Sequence, residues 1–175
     1  LNPGQNAVTL RLATPLGNGT YQLQAKDLAD CSGQTATTTP FDFLFINIEA
    51  AGEFDILINE FMADPNPSAG LPEVEWIELY NRSNKWIDLQ TLSISDDSGN
   101  PKALSAYLLA PDSFLVLCTP VNAPLMRAFT TRILAVPSLP SLNDDGDVIV
   151  LSDANGLVID RVNYDKSWHT KPSAK

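Results

Sequence analysis

Asn59-Glu60-Phe61-Met62-Ala63-Asp64-Pro65-Asn66-Pro67 and, shortly after, Leu71-Pro72-Glu73-Val74-Glu75-Trp76-Ile77-Glu78-Leu79-Tyr80-Asn81 place five carboxylates within twenty residues: Glu60, Asp64, Glu73, Glu75 and Glu78. Two carboxyl groups facing each other across a sugar linkage, one protonated and one ionised, can hydrolyse a glycosidic bond. Strand alternation works against that use. Over Glu73–Asn81 it sets Val74, Trp76, Glu78 and Tyr80 on one face and Glu75, Ile77 and Leu79 on the other, so Glu75 and Glu78 diverge. The apolar pair Ile77 and Leu79 marks the core side. Trp76, Glu78 and Tyr80 then line an outer or rim face.

The remaining chemistry-bearing residues fall into three groups. His169, the only histidine, sits six residues from the end of the sequence with no metal-type spacing around it; a triad or zinc site needs a rigidly held imidazole, and a chain end is a poor place for one. Asn143-Asp144-Asp145-Gly146-Asp147 concentrates hard oxygen ligands, and Asp144, Asp145 and Asp147 are the candidate calcium ligands. With Asn143 as first ligand, however, Gly146 stands fourth instead of sixth and Ala154 takes the place of the bidentate Glu. A solvated hairpin turn is the favoured reading there and at Asp96-Asp97-Ser98-Gly99-Asn100. Trp76, Tyr80 and Trp86 could stack on a sugar or peptide, although packing is the ordinary duty of large aromatics in a small β domain.

Composition limits the partners. A net charge of −10 and a pI near 4.3 argue against nucleic acid, which requires clustered cations, as a partner. No apolar run reaches the length of a membrane helix, so membrane insertion is not expected. The opening Leu1-Asn2-Pro3-Gly4-Gln5-Asn6 suggests a piece of a longer precursor. Cys31 lies in a turn-like segment and Cys118 ends an apolar run; a bridge between them and two free thiols are both open, the latter favoured because the two fall in different modules.

The elements that must position these groups are strands. Ala7–Leu12 and Thr20–Ala25 alternate with period two around Pro15, Gly17, Asn18 and Gly19, which reads as a hairpin, and Phe41–Ile48 is a third β-rich run. Glu49-Ala50-Ala51-Gly52-Glu53 then breaks the pattern, and residues 50–53 are expected to form a linker. Further runs follow at 56–61, 74–80, 86–94, 107–109, 114–118, 148–151 and 157–164, with Asn155-Gly156 offering a tight turn. Ala123–Thr130 is the one stretch suited to a short helix. Seven short strands separated by turns predict an all-β, immunoglobulin-like sandwich or barrel for residues 54–175.

The run Ile58-Asn59-Glu60-Phe61-Met62-Ala63-Asp64-Pro65, with Glu75-Trp76-Ile77-Glu78-Leu79-Tyr80-Asn81-Arg82-Ser83, Ile87-Asp88-Leu89, Leu142–Asp147 and Gly156–Tyr164, resembles the lamin tail domain in its bacterial secreted form. The resemblance implies an immunoglobulin-like accessory module of large secreted or cell-surface proteins and no activity of its own. It implies scaffold roles for the motif residues Asn59, Glu60, Glu78 and Asn81. Residues 1–49 resemble the closing strands of a bacterial Ig-like domain. The expected function is a non-catalytic interaction or spacer module without cofactor, whose partners are other domains of the parent protein or an extracellular protein or glycan. The alternative is a carbohydrate- or calcium-dependent binding module.

Overall fold

The computed structural model of the chain describes residues 9–66, 70–96 and 98–168. It divides into two compact units, Leu1–Asn47 and Ile48–Lys175.

The first unit contains β1 (Gly19–Leu23), β2 (Leu28–Ala29), β3 (Thr35–Ala36) and β4 (Phe41–Phe45), paired antiparallel as β1 with β4 and β2 with β3. The hairpin expected from Ala7–Leu12 is not what pairs with β1. Residues 9–12 form no strand, while Ala7 and Val8 lie outside the described residues. Cross-strand side chains explain the choice: β4 gives Tyr21 a ring partner in Phe43, with centroids 5.8 Å apart, and gives Gln22 a hydrogen bond to Asp42 at 3.0 Å. No residue from 9 to 47 is buried, and Leu10, Phe41 and Leu44 remain largely exposed.

The second unit continues with β5 (Ile56–Met62), β6 (Trp76–Asn81), β7 (Ile87–Asp88), β8 (Leu92–Ser95), β9 (Lys102–Ala103), β10 (Leu108–Leu109), β11 (Ser113–Cys118), the single-turn helix α1 (Ala123–Met126), β12 (Ile133–Ala135), β13 (Gly146–Asp153) and β14 (Val158–Asp165). One four-stranded sheet has the order β12-β11-β6-β5 and the other β14-β13-β8-β9, with β7 and β10 forming a short separate pair. All pairings are antiparallel except β11 with β12. Ile56, Ile77, Leu79, Leu115 and Leu117 meet Leu92, Ile94, Ile149, Leu151 and Ile159 in the main core. That is the alternating inner surface of a two-sheet sandwich.

Two expectations need correction. Residues 86–94 are not one strand, because Asp88 caps a 3-10 turn over Leu89–Thr91 by accepting from Gln90 N, and Thr91 Oγ1 donates back to Asp88 O at 2.8 Å. The chain thereby leaves β10 and joins β13 through β8. Nor do residues 50–53 stand apart as a linker, since they fall within the second unit. Ala51 is buried in the main core, Gly52 N donates to Asp55 Oδ2 at 2.7 Å, and just upstream Glu49 N donates to Trp86 O at 2.9 Å.

Candidate functional site

The motif strands β5 and β6 carry the residues that sequence reasoning singled out. Ile58 pairs with Leu79 and Glu60 with Glu78, so Asn59 is one extra residue in β5. This β-bulge resets the alternation: Ile56 and Ile58 face the core before it, Phe61 packs against the core after it, and Asn59 and Glu60 are both exposed. Glu60 and Glu78 are directly opposed on the outer face, and Asn59 Nδ2 donates to Glu78 Oε1 at 2.8 Å.

β5 is an edge strand, so its outward ladder groups need partners other than β6. Ile58 N donates to Asp160 Oδ2 at 2.7 Å and Arg161 N to Asp160 Oδ1 at 2.8 Å, so this buried carboxylate on β14 ties one sheet to the other. Sequence reasoning passed over Asp160. The available signal was a lone acid in Val158-Ile159-Asp160-Arg161-Val162, where alternation left its side undecided. Asn81 is fully buried and works as a hub: Nδ2 donates to Lys85 O at 2.8 Å, Ala110 O at 3.0 Å and Leu109 O at 3.1 Å, while Oδ1 accepts from Ser83 Oγ at 2.7 Å and Ser83 N at 3.1 Å. It holds the turn after β6 against the end of β10. Nearby, Asp55 Oδ2 accepts from Lys85 Nζ at 2.6 Å. Burial alone would raise the Asp55 carboxyl, but the Lys85 ammonium and the Gly52 N–H outweigh it and hold it below the ordinary carboxylate range.

The three aromatics do not form one strip. Trp76 is only 5% exposed, enclosed on the outer face of β6 with Val116, Cys118, Ala123 and Met126, the last two supplied by α1. Its indole N–H has no hydrogen-bond acceptor among the described residues. Tyr80 is half-buried, stacks on Phe114 with centroids 4.5 Å apart and planes 17° from parallel, and donates to Asp112 Oδ1 at 2.6 Å. That bond, first among the causes, raises the Tyr80 phenol above its usual range. Trp86 is half-buried where the chain enters the second unit, bridged to Ile48.

The acidic turns come together. Asp96, Ser98, Asn143, Gly146, Asp147 and Val148 line one cavity of about 400 Å³. Asp147 is already engaged, accepting from Asn143 Nδ2 at 2.5 Å and Val148 N at 2.7 Å, and Asp145 lies 3.5 Å from Lys166 Nζ. Burial, then Asp147, Glu75 and Asp144, push the Tyr164 phenol up to about 12, and burial followed by Asp144 raises the Glu75 carboxyl. Among the described residues no three His, Cys, Asp or Glu side chains group closely enough to hold a metal ion. Asp97 and His169 fall outside the described residues. Cys31 is exposed and Cys118 buried, both as free thiols, and burial raises the Cys118 thiol.

Two four-stranded, largely antiparallel sheets packed face to face, a strand switch at Asp88 and a bulged first strand define the second unit as an immunoglobulin-like β-sandwich. The family described as Lamin Tail Domain matches residues 49–166, the greater part of the chain, and the chain belongs to that family. Its fold is of a non-enzymatic class. No curated protein matches the chain. Among the described residues no helix is long and apolar enough to cross a membrane.

Proposed function

We propose that this chain is a non-catalytic interaction or spacer module of a larger secreted or cell-surface bacterial protein, working outside the cell on neighbouring domains or on an extracellular protein or glycan. One observation supports the reading: three carboxylates of the second unit, Asp160, Asp55 and Glu78, are engaged by protein donors. Asp160 is occupied by two backbone N–H groups, Asp55 by Lys85 and Gly52, and Glu78 by Asn59. A general acid or base needs a free proton site facing a substrate, and these groups are committed to their protein partners. The test is a turnover screen of the purified chain on glycans and peptides, compared with Glu78→Gln. No turnover by either is expected; hydrolysis by the parent chain that vanishes in Glu78→Gln would overturn the module reading.

A second reading, calcium- or carbohydrate-dependent binding, is favoured by the convergence of two acidic turns on one cavity. Calorimetric titration with CaCl2 separates the two. Heat of binding that disappears in Asp147→Ala would establish the calcium reading.

A further inference from the structure

The outer face of the β12-β11-β6-β5 sheet is only half covered. Residues are aligned across it in rows: Leu57, Tyr80 and Phe114 are directly opposed on three adjacent strands, and the next row is Glu60, Glu78 and Val116. The far end is closed over Trp76 by Ala123 and Met126. The near end is open. Phe114 is 41% exposed and Tyr80 and Leu57 are half-buried, so the row presents an aromatic stack beside an aliphatic side chain.

Beside that apolar row sits an electrostatic mismatch. Glu60 and Glu78 oppose each other as like charges across adjacent strands, an arrangement that destabilises a sheet. Asn59 supplies Glu78 with a neutral amide and no countercharge. The only ion pairs among the described residues are Lys85–Asp55 and Lys166–Asp145, so neither glutamate has a cation of its own. Arg82, two positions beyond Tyr80, acts on the Tyr80 hydroxyl from a distance without pairing with either glutamate. Asp112, bonded to Tyr80, adds a third carboxylate at the same end.

We propose that this face docks a cationic protein segment, one presenting Lys or Arg beside aliphatic side chains. Its ammonium or guanidinium groups supply the countercharge for Glu60 and Glu78 and lie over the Tyr80 and Phe114 rings, whose faces attract cations. Its aliphatic groups cover Leu57. Charge selects this occupant over a second copy of the chain, because two molecules of net charge −10 would bring the same carboxylates face to face. The proposal deepens the interaction-module reading and rests on it.

The test uses the full 175-residue chain, 15N-labelled, and a ten-residue peptide in which Lys alternates with Thr and Val, with a Glu-for-Lys peptide as control. Saturable amide shifts are expected at Leu57, Glu60, Glu78, Tyr80 and Phe114 with the Lys peptide alone. Binding is expected to weaken about tenfold in Glu60→Lys and in Phe114→Ala, and on raising salt, which screens exposed charges. Asp145→Ala is expected to bind as the parent does. Each variant's unfolding midpoint is measured alongside, so lost binding in a folded protein is distinguishable from lost fold. No saturable shift at millimolar peptide, shifts centred on residues 143–147, equal response to the Glu peptide, or self-association in place of peptide binding would each overturn the proposal. Failure of this surface without turnover leaves the spacer reading standing, whereas turnover in the same samples refutes the module reading itself.

Discussion

Asn81→Ala is the substitution that separates a structural hub from a surface motif residue. Asn81 is fully buried, and its amide nitrogen is shared by the carbonyls of Lys85, Leu109 and Ala110 while its oxygen takes the Ser83 N–H and hydroxyl. An amide nitrogen has two protons, so the three carbonyls share two donated bonds. Counting those two and two accepted bonds at about 1 kcal/mol net each gives about 4 kcal/mol, and truncation also leaves carbonyls unpaired in a region shut off from water. Against a total stability of about 5–15 kcal/mol for a domain, that is a large fraction. In urea, with a slope of about 2 kcal/mol/M, the midpoint should fall by about 2 M. Asn59→Ala is the control: its one bond to Glu78 is on the solvent side, and its loss should cost under about 1 kcal/mol. Equal midpoint shifts for the two, or a shift under about 0.5 M for Asn81→Ala, would refute the assignment of Asn81 as the hub.

Gly146→Ala should lower the thermal midpoint clearly, because Gly146 has φ +136° and an added Cβ would lie 2.8 Å from Tyr164 O; strain of about 1–3 kcal/mol is expected, and an unchanged melt would contradict it. Asp55 has a folded pKa below its ordinary 3.8, so its contribution is present above that value and lost as pH falls through the lower one. Urea melts between about pH 5 and 2.5 should therefore show the parent losing stability relative to Asp55→Asn, and parallel curves would remove the Asp55–Lys85 pair from the account. Glu78→Gln should change the denaturation midpoint by under about 0.5 kcal/mol, since loss of a charged acceptor is offset by relief of the Glu60–Glu78 opposition; a loss of several kcal/mol would show the carboxylate to be a structural anchor.

Alternation in the sequence was enough to place Ile77 and Leu79 in the core and Glu78 on the opposite face, because β6 is regular and each of its side chains obeys period two. It failed where one residue changes the phase. The apolar spacing Ile56, Ile58, Phe61 records the Asn59 bulge, but a step of three in an otherwise alternating run has no unique cause until the pairing partner is known. Asp88 belongs to the same kind of difficulty: a side-chain cap that sends the chain from one sheet to the other resembles a polar residue within a continuous strand. Trp76 was put on the correct face, but its enclosure was not legible, since the cover that α1 provides comes from residues nearly fifty positions away. The convergence of Asp96 and Ser98 with Asn143, Gly146 and Asp147 is likewise a product of topology that neither turn records by itself.

The relation between β5 and β14 has a mechanical consequence. Phe54 N donates to Ile159 O, Ile58 N to Asp160, and the Phe61 ring meets that of Tyr164 with centroids 4.6 Å apart, so contacts advance together along both segments, which run side by side in the same direction. Among the described residues β5 begins the second unit's sandwich and β14 is its last strand. Tension applied through the chain on either side therefore pulls the two segments past each other lengthwise and loads the three contacts simultaneously. Such a linkage yields abruptly at high force, whereas contacts loaded in turn peel apart at low force. Single-molecule extension should show one sharp rupture for the second unit, with Asp160→Ala lowering its force; gradual yielding in the parent chain would show that the load passes through other contacts. For a module threaded into a protein under tension, the Asp160 tie would set how much pull the sandwich withstands before it opens.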